Sequence, residues 1–160
     1  MNFSAVLTTA LDWTGQALAL GVFESDQLIE TTLAPFNDRY GGVLADLLQD
    51  TNFQGKTNTV VSVRVGRTTA IQHLILVGLG KAEQLKLETL RIAAATAAKQ
   101  AQQRRCTQLG ISFPAEALDP LATLQAIVEG IQLGTYRDDR FRSDVDESLV
   151  TLQDVLILQE

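Results

Sequence analysis

Apolar residues recur along the chain with two spacings, every second residue and every third or fourth, and the alternation of the two predicts strands interleaved with helices. Asn2 to Thr8 and Gln16 to Phe23 are apolar runs, and Leu11-Asp12-Trp13-Thr14-Gly15 between them reads as a hairpin loop. In the second run Ala17, Ala19, Gly21 and Phe23 face one way and Leu18, Leu20 and Val22 the other. Both faces are apolar, so this strand belongs inside a covered sheet. Tyr40, Val43, Leu44, Leu47 and Leu48 predict one short helix between Phe36 and Gln49, with Asn37 or Asp38 as its cap. Thr59 to Val65 alternates strictly, Val61, Val63 and Val65 against Ser62 and Arg64, which predicts a half-exposed strand. Ile71 to Val77 follows a short turn, with Ile71, His73, Ile75 and Val77 on one face and Leu74 and Leu76 on the other. It is expected near the sheet centre, antiparallel to its predecessor.

Leu87, Leu90, Ala94, Ala98 and Ala101 step through an alanine-rich helix that ends near Arg105, and its small side chains allow close approach to a sheet. Gln108 to Phe113 reads as a strand bounded by Pro114. Asp119-Pro120 is an acidic cap followed by proline, and it opens a helix through Leu121, Leu124, Ile127, Val128 and Ile131. Val155-Leu156-Ile157-Leu158 is a final short strand. Helices between the later strands imply right-handed parallel crossovers, and the two short turns imply antiparallel pairs. The expected fold class is α/β, a mixed sheet with helices on both faces.

Composition narrows the partners. The 160 residues suit a single domain over 1–160, and 46% hydrophobic with 20% charged residues suits a globular core. With 13 Lys+Arg against 19 Asp+Glu the net charge is −6, which disfavours nucleic acid. A DNA-binding role would fall to Arg104, Arg105, Arg137, Arg140 and Arg142, and salt-dependent binding would be its signature. One cysteine, Cys106, forms no internal disulfide, and the chain opens without a basic stretch leading into an apolar run, so the cytoplasm is the expected compartment. No apolar run approaches the ~20 residues that cross a bilayer, and no membrane partner is expected. A single histidine excludes a histidine-rich metal site.

Four features carry candidate chemistry. Gly78-Leu79-Gly80-Lys81 follows a strand and precedes a helix, where phosphate-binding loops sit. A dinucleotide fingerprint would need glycine at Glu83. A phosphate loop would need glycine at Ile75 and Ser or Thr at Ala82, so a tight strand-to-helix turn is the better reading. His73, flanked by apolar neighbours, reads as a satisfied core or sheet-face histidine, and Cys106 beside Arg104 and Arg105 reads as an inert thiol. The acidic residues Asp138, Asp139, Asp144, Asp146 and Glu147 fail as a calcium loop. Counted from Asp144, Leu149 stands where glycine is needed and Val155 where the bidentate Glu is needed. A solvated connector, interleaved with Arg137, Arg140 and Arg142, fits better.

Leu76-Val77-Gly78-Leu79-Gly80-Lys81, followed by Leu87-Glu88-Thr89-Leu90-Arg91 and the alanine-rich helix, resembles the amino-terminal domain of the leucyl aminopeptidase (cytosol aminopeptidase) family. So does Glu129-Gly130-Ile131-Gln132-Leu133-Gly134-Thr135-Tyr136-Arg137 with Asp139-Arg140-Phe141, and the order is kept through Tyr40-Gly41-Gly42 and Phe53-Gln54-Gly55-Lys56. The resemblance implies a macro-domain-like three-layer sandwich and no catalytic residue, cofactor or metal in this chain. Family members hold two divalent metals, zinc or manganese, in a second, carboxy-terminal domain, and their Asn-Thr-Asp-Ala-Glu-Gly-Arg motif occurs nowhere here.

The chain is therefore expected to be a non-catalytic assembly or regulatory domain, partnered by a catalytic domain in cis and by other copies in a hexamer. A connector-like segment spans 136–150, and Tyr136, Arg137, Asp139 and Phe141 are the expected interdomain contacts. Asp138 stands where the family carries an aromatic, and Lys86 where it carries a Ser or Thr cap. The alternative is a stand-alone macro-like module that binds ADP-ribose or a related nucleotide where Gly41-Gly42 and Gly78 to Gly80 meet. The family-typical Asn-Ala-Ala-Asn run of such modules is absent, so weak or no binding is expected.

Overall fold

The doubly apolar strand is met by a sheet covered on both faces. The computed structural model describes residues 1–66, 69–136 and 150–159. Among the described residues β1 (Asn2–Leu7), β2 (Gly15–Phe23), β3 (Val60–Arg64), β4 (Ile71–Gly80), β5 (Gln108–Ser112) and β6 (Asp154–Gln159) form one sheet, in the order β1-β6-β5-β2-β4-β3. All neighbours are parallel except β3 with β4, which are antiparallel as their short connection predicts. The helices are α1 (Ala34–Arg39), α2 (Val43–Thr51), α3 (Leu87–Gln103) and α4 (Pro120–Thr135).

The alternation along β2 divides the core in two. Ala17 and Ala19, with Ile75 and Val77 of β4, pack against Leu90, Ala94 and Ala98 of α3 and Ile127 and Ile131 of α4. Leu18, Leu20 and Val22, with Leu74 and Leu76, pack against Phe36 of α1, Leu44 of α2 and Trp13. Ile71 departs from expectation: at the first residue of β4, opposite Gly15, it joins Leu74 and Leu76. The result is a mixed α/β three-layer sandwich with helices on both faces. At the edge, β3 is half-buried, as its alternation of valines with Ser62 and Arg64 requires.

Two turns differ from the sequence reading. β1 and β2 form no hairpin: β1 pairs with β6, and β2 lies between β5 and β4. Residues 8–14 cross from the carboxyl end of β1 to the amino end of β2, and buried Trp13 rests on a floor of glycines. A Cβ at Gly15 would fall 2.2 Å from the indole, and one at Gly110 2.9 Å from it. The turn-like composition of Leu11 to Gly15 thus serves a packed crossover, whose glycine is there for the ring.

The single helix expected between Phe36 and Gln49 is two, because Gly41 and Gly42 take φ of +68° and +83° and break it. Asn37 does cap, but it caps α2, its Oδ1 accepting from the Ala45 N–H at 3.0 Å. Asp119 caps α4 as predicted, accepting from the Ala122 N–H at 2.8 Å. Lys86 stands at the N-cap of α3 without a side-chain bond to the helix.

Candidate functional site

The carboxyl ends of β1, β2, β5 and β6 open into a cleft of about 920 Å³, the place where open α/β sheets commonly hold ligands. Its walls are the 9–12 crossover, the start of α1, the loop after β5 and the first two turns of α4. Leu20, Phe36, Phe113, Leu124, Ile127 and Leu158 make it largely apolar, and it reaches both core layers. Its charged lining is Asp12 and Glu116; among the described residues no Lys, Arg or His lines it. Helix α4 begins at the wall, where the Ala122 N–H already donates to the Asp119 carboxylate and the Thr123 N–H to the Asp119 backbone carbonyl. The Thr123 hydroxyl in the same wall is buried without a hydrogen-bond partner.

None of the four glycines proposed for a ligand loop lines this cleft. Gly78 and Gly80 end β4 against the 55–59 loop: the Gly78 N–H donates to Thr59 O, the Gly80 N–H donates to Gly55 O, and a Cβ at Gly78 would fall 2.0 Å from Lys56 O. The small depression that Gly78 borders holds about 10 Å³, room for one water at most. Gly41 and Gly42 face open space in the α1–α2 turn. Tyr136 follows α4 and is 70% exposed, whereas Arg137, Asp139 and Phe141 lie outside the described residues, as do Arg140, Arg142 and the acidic residues 138–147. Of the five arginines weighed for DNA, Arg104 donates to Ser62 Oγ at 2.8 Å, and Arg105 takes a left-handed φ of 59° after α3.

At the opposite end of the sheet, His73 sits in β4 opposite Arg64, buried among the residues under α3. Its core position matches the sequence reading, but its Nδ1 has no hydrogen-bond partner, so it is not satisfied. Burial, then the charges of Arg64 and Arg104, hold its pKa below the usual histidine value. Protonation therefore favours the unfolded chain. Stability is expected to be held above about pH 6.5 and to fall as the pH drops from there toward the lower folded pKa. Urea titrations from pH 8 to pH 5 measure this, and His73→Gln should flatten the curve above pH 5.

Buried Cys106 has its thiol pKa pushed up by burial, which suits an inert thiol. Among the described residues no three His, Cys, Asp or Glu side chains converge as a metal site. The donor set of the described residues does not fit a two-metal centre.

Two of the sequence motifs, Leu87-Glu88-Thr89-Leu90-Arg91 and the run from Glu129 to Gly134, meet at the α3–α4 contact. Arg91 of α3 donates from Nη2 to Glu129 Oε2 of α4 at 2.9 Å and also pairs with Glu88. The Gln125 amide and the Arg91 guanidinium hold the Glu129 carboxyl below its ordinary pKa. One residue on, Gly130 lets the helices touch: a Cβ there would lie 2.1 Å from Arg91 O, and one at Gly134 2.7 Å from Ala95 Cβ. These residues build a helix–helix seam.

Over residues 19–145 the chain matches the pattern of the cytosol aminopeptidase family, N-terminal domain. The chain belongs to the cytosol aminopeptidase family. It is 40% identical over 158 residues to the protein called "Probable cytosol aminopeptidase" of Rippkaea orientalis, covering 99% of this chain and 32% of that one. The chain thus spans about a third of the length of the curated relatives it matches. A tomato leucine aminopeptidase superposes with a TM-score of 0.83 at 23% identity, over 99% of this chain and 32% of its own. The macrodomain of Thermus aquaticus DarG superposes with a TM-score of 0.65 at 12% identity, over 99% of both chains. At those identities the likeness concerns the fold, and it makes the sandwich macrodomain-like. Among the described residues no helix of this family member is long and apolar enough to cross a membrane.

The cleft residues Asp12, Glu116 and Thr123 are not among the candidates the sequence suggested. Asp12 was masked by the hairpin reading of its segment. The available signal was position: each lies in a segment that follows a parallel strand's carboxyl end.

Proposed function

We propose that this chain is the amino-terminal assembly and regulatory domain of a cytoplasmic leucyl aminopeptidase that removes residues from peptide amino termini. In this reading the chemistry belongs to a two-metal catalytic domain in cis, and the parent chains assemble as a hexamer. The observation that carries it is the family match over residues 19–145 in a chain spanning a third of its relatives. Leu133 and Tyr136, 71% and 70% exposed at the end of α4, are the apolar groups we assign to the interdomain contact, with Arg137, Asp139 and Phe141 next in sequence.

Deletion of residues 1–159 from the parent enzyme tests the division of labour. The remaining catalytic domain is expected to keep its metal and its hydrolysis of a leucyl amide, and its oligomer to dissociate at a lower temperature. Loss of metal from a deletion variant that stays folded would place ligands in this domain and overturn the reading.

A nucleotide-binding role is the second reading, favoured by the cleft's position at the carboxyl ends of the strands. The carboxylates of Asp12 and Glu116 in that cleft count against a diphosphate. Calorimetry with ADP-ribose is expected to give no saturable 1:1 isotherm in the low micromolar range; such an isotherm would establish the nucleotide reading.

A further inference from the structure

We propose that Arg64, Arg104, Ser62 and His73, at the amino end of β4, form a binding site for a doubly charged tetrahedral oxoanion, either a free ion or the phosphate group of a small molecule. This site goes beyond the assembly reading and does not rest on it. It lies at the opposite end of the sheet from the cleft.

Register brings the four residues together. His73 pairs with Ala17 of β2 on one side and with Arg64 of β3 on the other, and Ala17 belongs to the core layer under α3. Paired residues of neighbouring strands share a face, so His73 and Arg64 leave the sheet toward α3, and Ser62, two residues before Arg64, does the same. From above, Arg104 at the carboxyl cap of α3 donates from Nη2 to Ser62 Oγ at 2.8 Å. Two guanidinium groups therefore border one patch beside an imidazole that is only 8% exposed. Their charges reach the same buried neighbours: after burial, Arg64 and Arg104 depress the His73 pKa, and both oppose the effect of burial on the Cys106 thiol.

The charge balance of this patch calls for an anion. Neither arginine has a carboxylate within ion-pair distance among the described residues, where both ion pairs belong to Arg91. Like charges set side by side repel, and a phosphate or sulfate group between them turns the repulsion into attraction. A helix-dipole role does not account for the pair. The last carbonyls of α3 are taken by the chain itself, Gln100, Ala101 and Gln102 accepting from the N–H groups of Arg104, Cys106 and Arg105, and the Arg104 guanidinium reaches across to β3 instead.

Donors remain free for the ligand. Among the described residues the Arg64 guanidinium has no hydrogen-bond acceptor. The Ser62 hydroxyl lies 3.5 Å from Gln100 Oε1, the outer limit of a hydrogen bond, so its proton can turn to a closer acceptor. His73 couples the site to pH. Its Nδ1 is buried without a partner, so no acceptor within the protein holds a proton on the ring. An anion beside it offsets the arginines and raises its pKa, so binding takes up a proton and tightens as the pH falls. The charged groups that act on the ring are Arg64 from β3 and Arg104 from α3; β2 presents Ala17, and Cys106 is the other titratable group within reach of both arginines.

The test uses the 160-residue chain, with the imidazole resonances of its single histidine and the Ser62 amide as reporters. Sulfate, which keeps both charges from pH 8 to pH 5, is titrated against chloride at equal ionic strength, followed by inorganic phosphate and glycerol phosphate at pH 7.5. Sulfate is expected to shift both reporters saturably, to raise the His73 pKa, and to bind about threefold tighter at pH 5.5 than at pH 7.5. Arg64→Gln and Arg104→Gln should each weaken binding about fivefold or more, Arg105→Gln should leave it unchanged, and His73→Gln should remove its pH dependence at the Ser62 amide. Tighter binding of glycerol phosphate than of inorganic phosphate would support a phosphate ester as the ligand, and the reverse order would support the free ion. A response to sulfate no greater than to chloride, binding unchanged in both arginine variants, or a His73 pKa that does not rise at saturation would overturn the proposal. Arg64 and Arg104 are exposed, so their variants are expected to fold, which far-UV circular dichroism verifies.

Discussion

Gly130→Ala is expected to destabilise the domain by about 2 kcal/mol, although helix propensity alone would make it stabilising by about 1 kcal/mol. The added Cβ would lie 2.1 Å from the Arg91 carbonyl oxygen, a backbone atom in the second turn of α3 that no rotamer change can move. α3 and α4 must then separate, and the contacts of Leu90, Ala94, Ala98, Ile127 and Ile131 loosen together. Urea unfolding with an unchanged m-value and a lowered midpoint is the expected result. Gly134→Ala should cost less, since its Cβ meets the Ala95 side chain at 2.7 Å, and the two substitutions should not add because they strain one seam. A midpoint for Gly130→Ala equal to or above that of the parent chain would mean that the helices are not in contact there.

Trp13→Ala is expected to cost about 4 kcal/mol and to lower the melting temperature by roughly 10 °C. The indole is buried in the crossover between β1 and β2 and fills the space above Gly15 and Gly110, so its removal leaves a cavity that two glycines cannot fill. Far-UV circular dichroism measures the melt without relying on the chain's single tryptophan. Gly110→Ala should reproduce part of the loss from the other side of the contact by displacing the ring. A shift of only a degree or two for Trp13→Ala would instead describe a loose surface loop, as in the hairpin reading.

The strands and the two long helices were legible because their residues obey one periodicity over many positions. The double-faced pattern from Ala17 to Val22 reported two covered faces, and Asp119-Pro120 reported a helix start. What escaped was pairing over distance. A run such as Leu11 to Gly15 has turn composition whether it reverses the chain or carries it across a sheet, and only the position of Gly110, about a hundred residues on, distinguishes the two. The break at Gly41-Gly42 was visible as a glycine pair, but apolar residues continued at helical spacing through it and concealed a change of axis.

The cleft was the least legible feature, since Asp12, Thr123 and Glu116 belong to segments whose meeting depends on strand order. The motifs that carry the family resemblance were legible as sequence but not as roles. Glu129-Gly130 reads equally well as part of a site or a seam, and the geometry at Arg91 makes it a seam.

The central claim, that this domain contributes structure and binding while the hydrolytic chemistry lies elsewhere, is tested most directly by assaying the purified 160-residue chain on a leucyl amide. The assay is run with zinc, manganese or magnesium supplied in turn, after circular dichroism has verified that the chain is folded. Two-metal hydrolysis needs several converging ligands, which the described residues do not provide. The account predicts a rate indistinguishable from that of buffer with metal. Metal-dependent release of leucine in proportion to the concentration of the chain would contradict it.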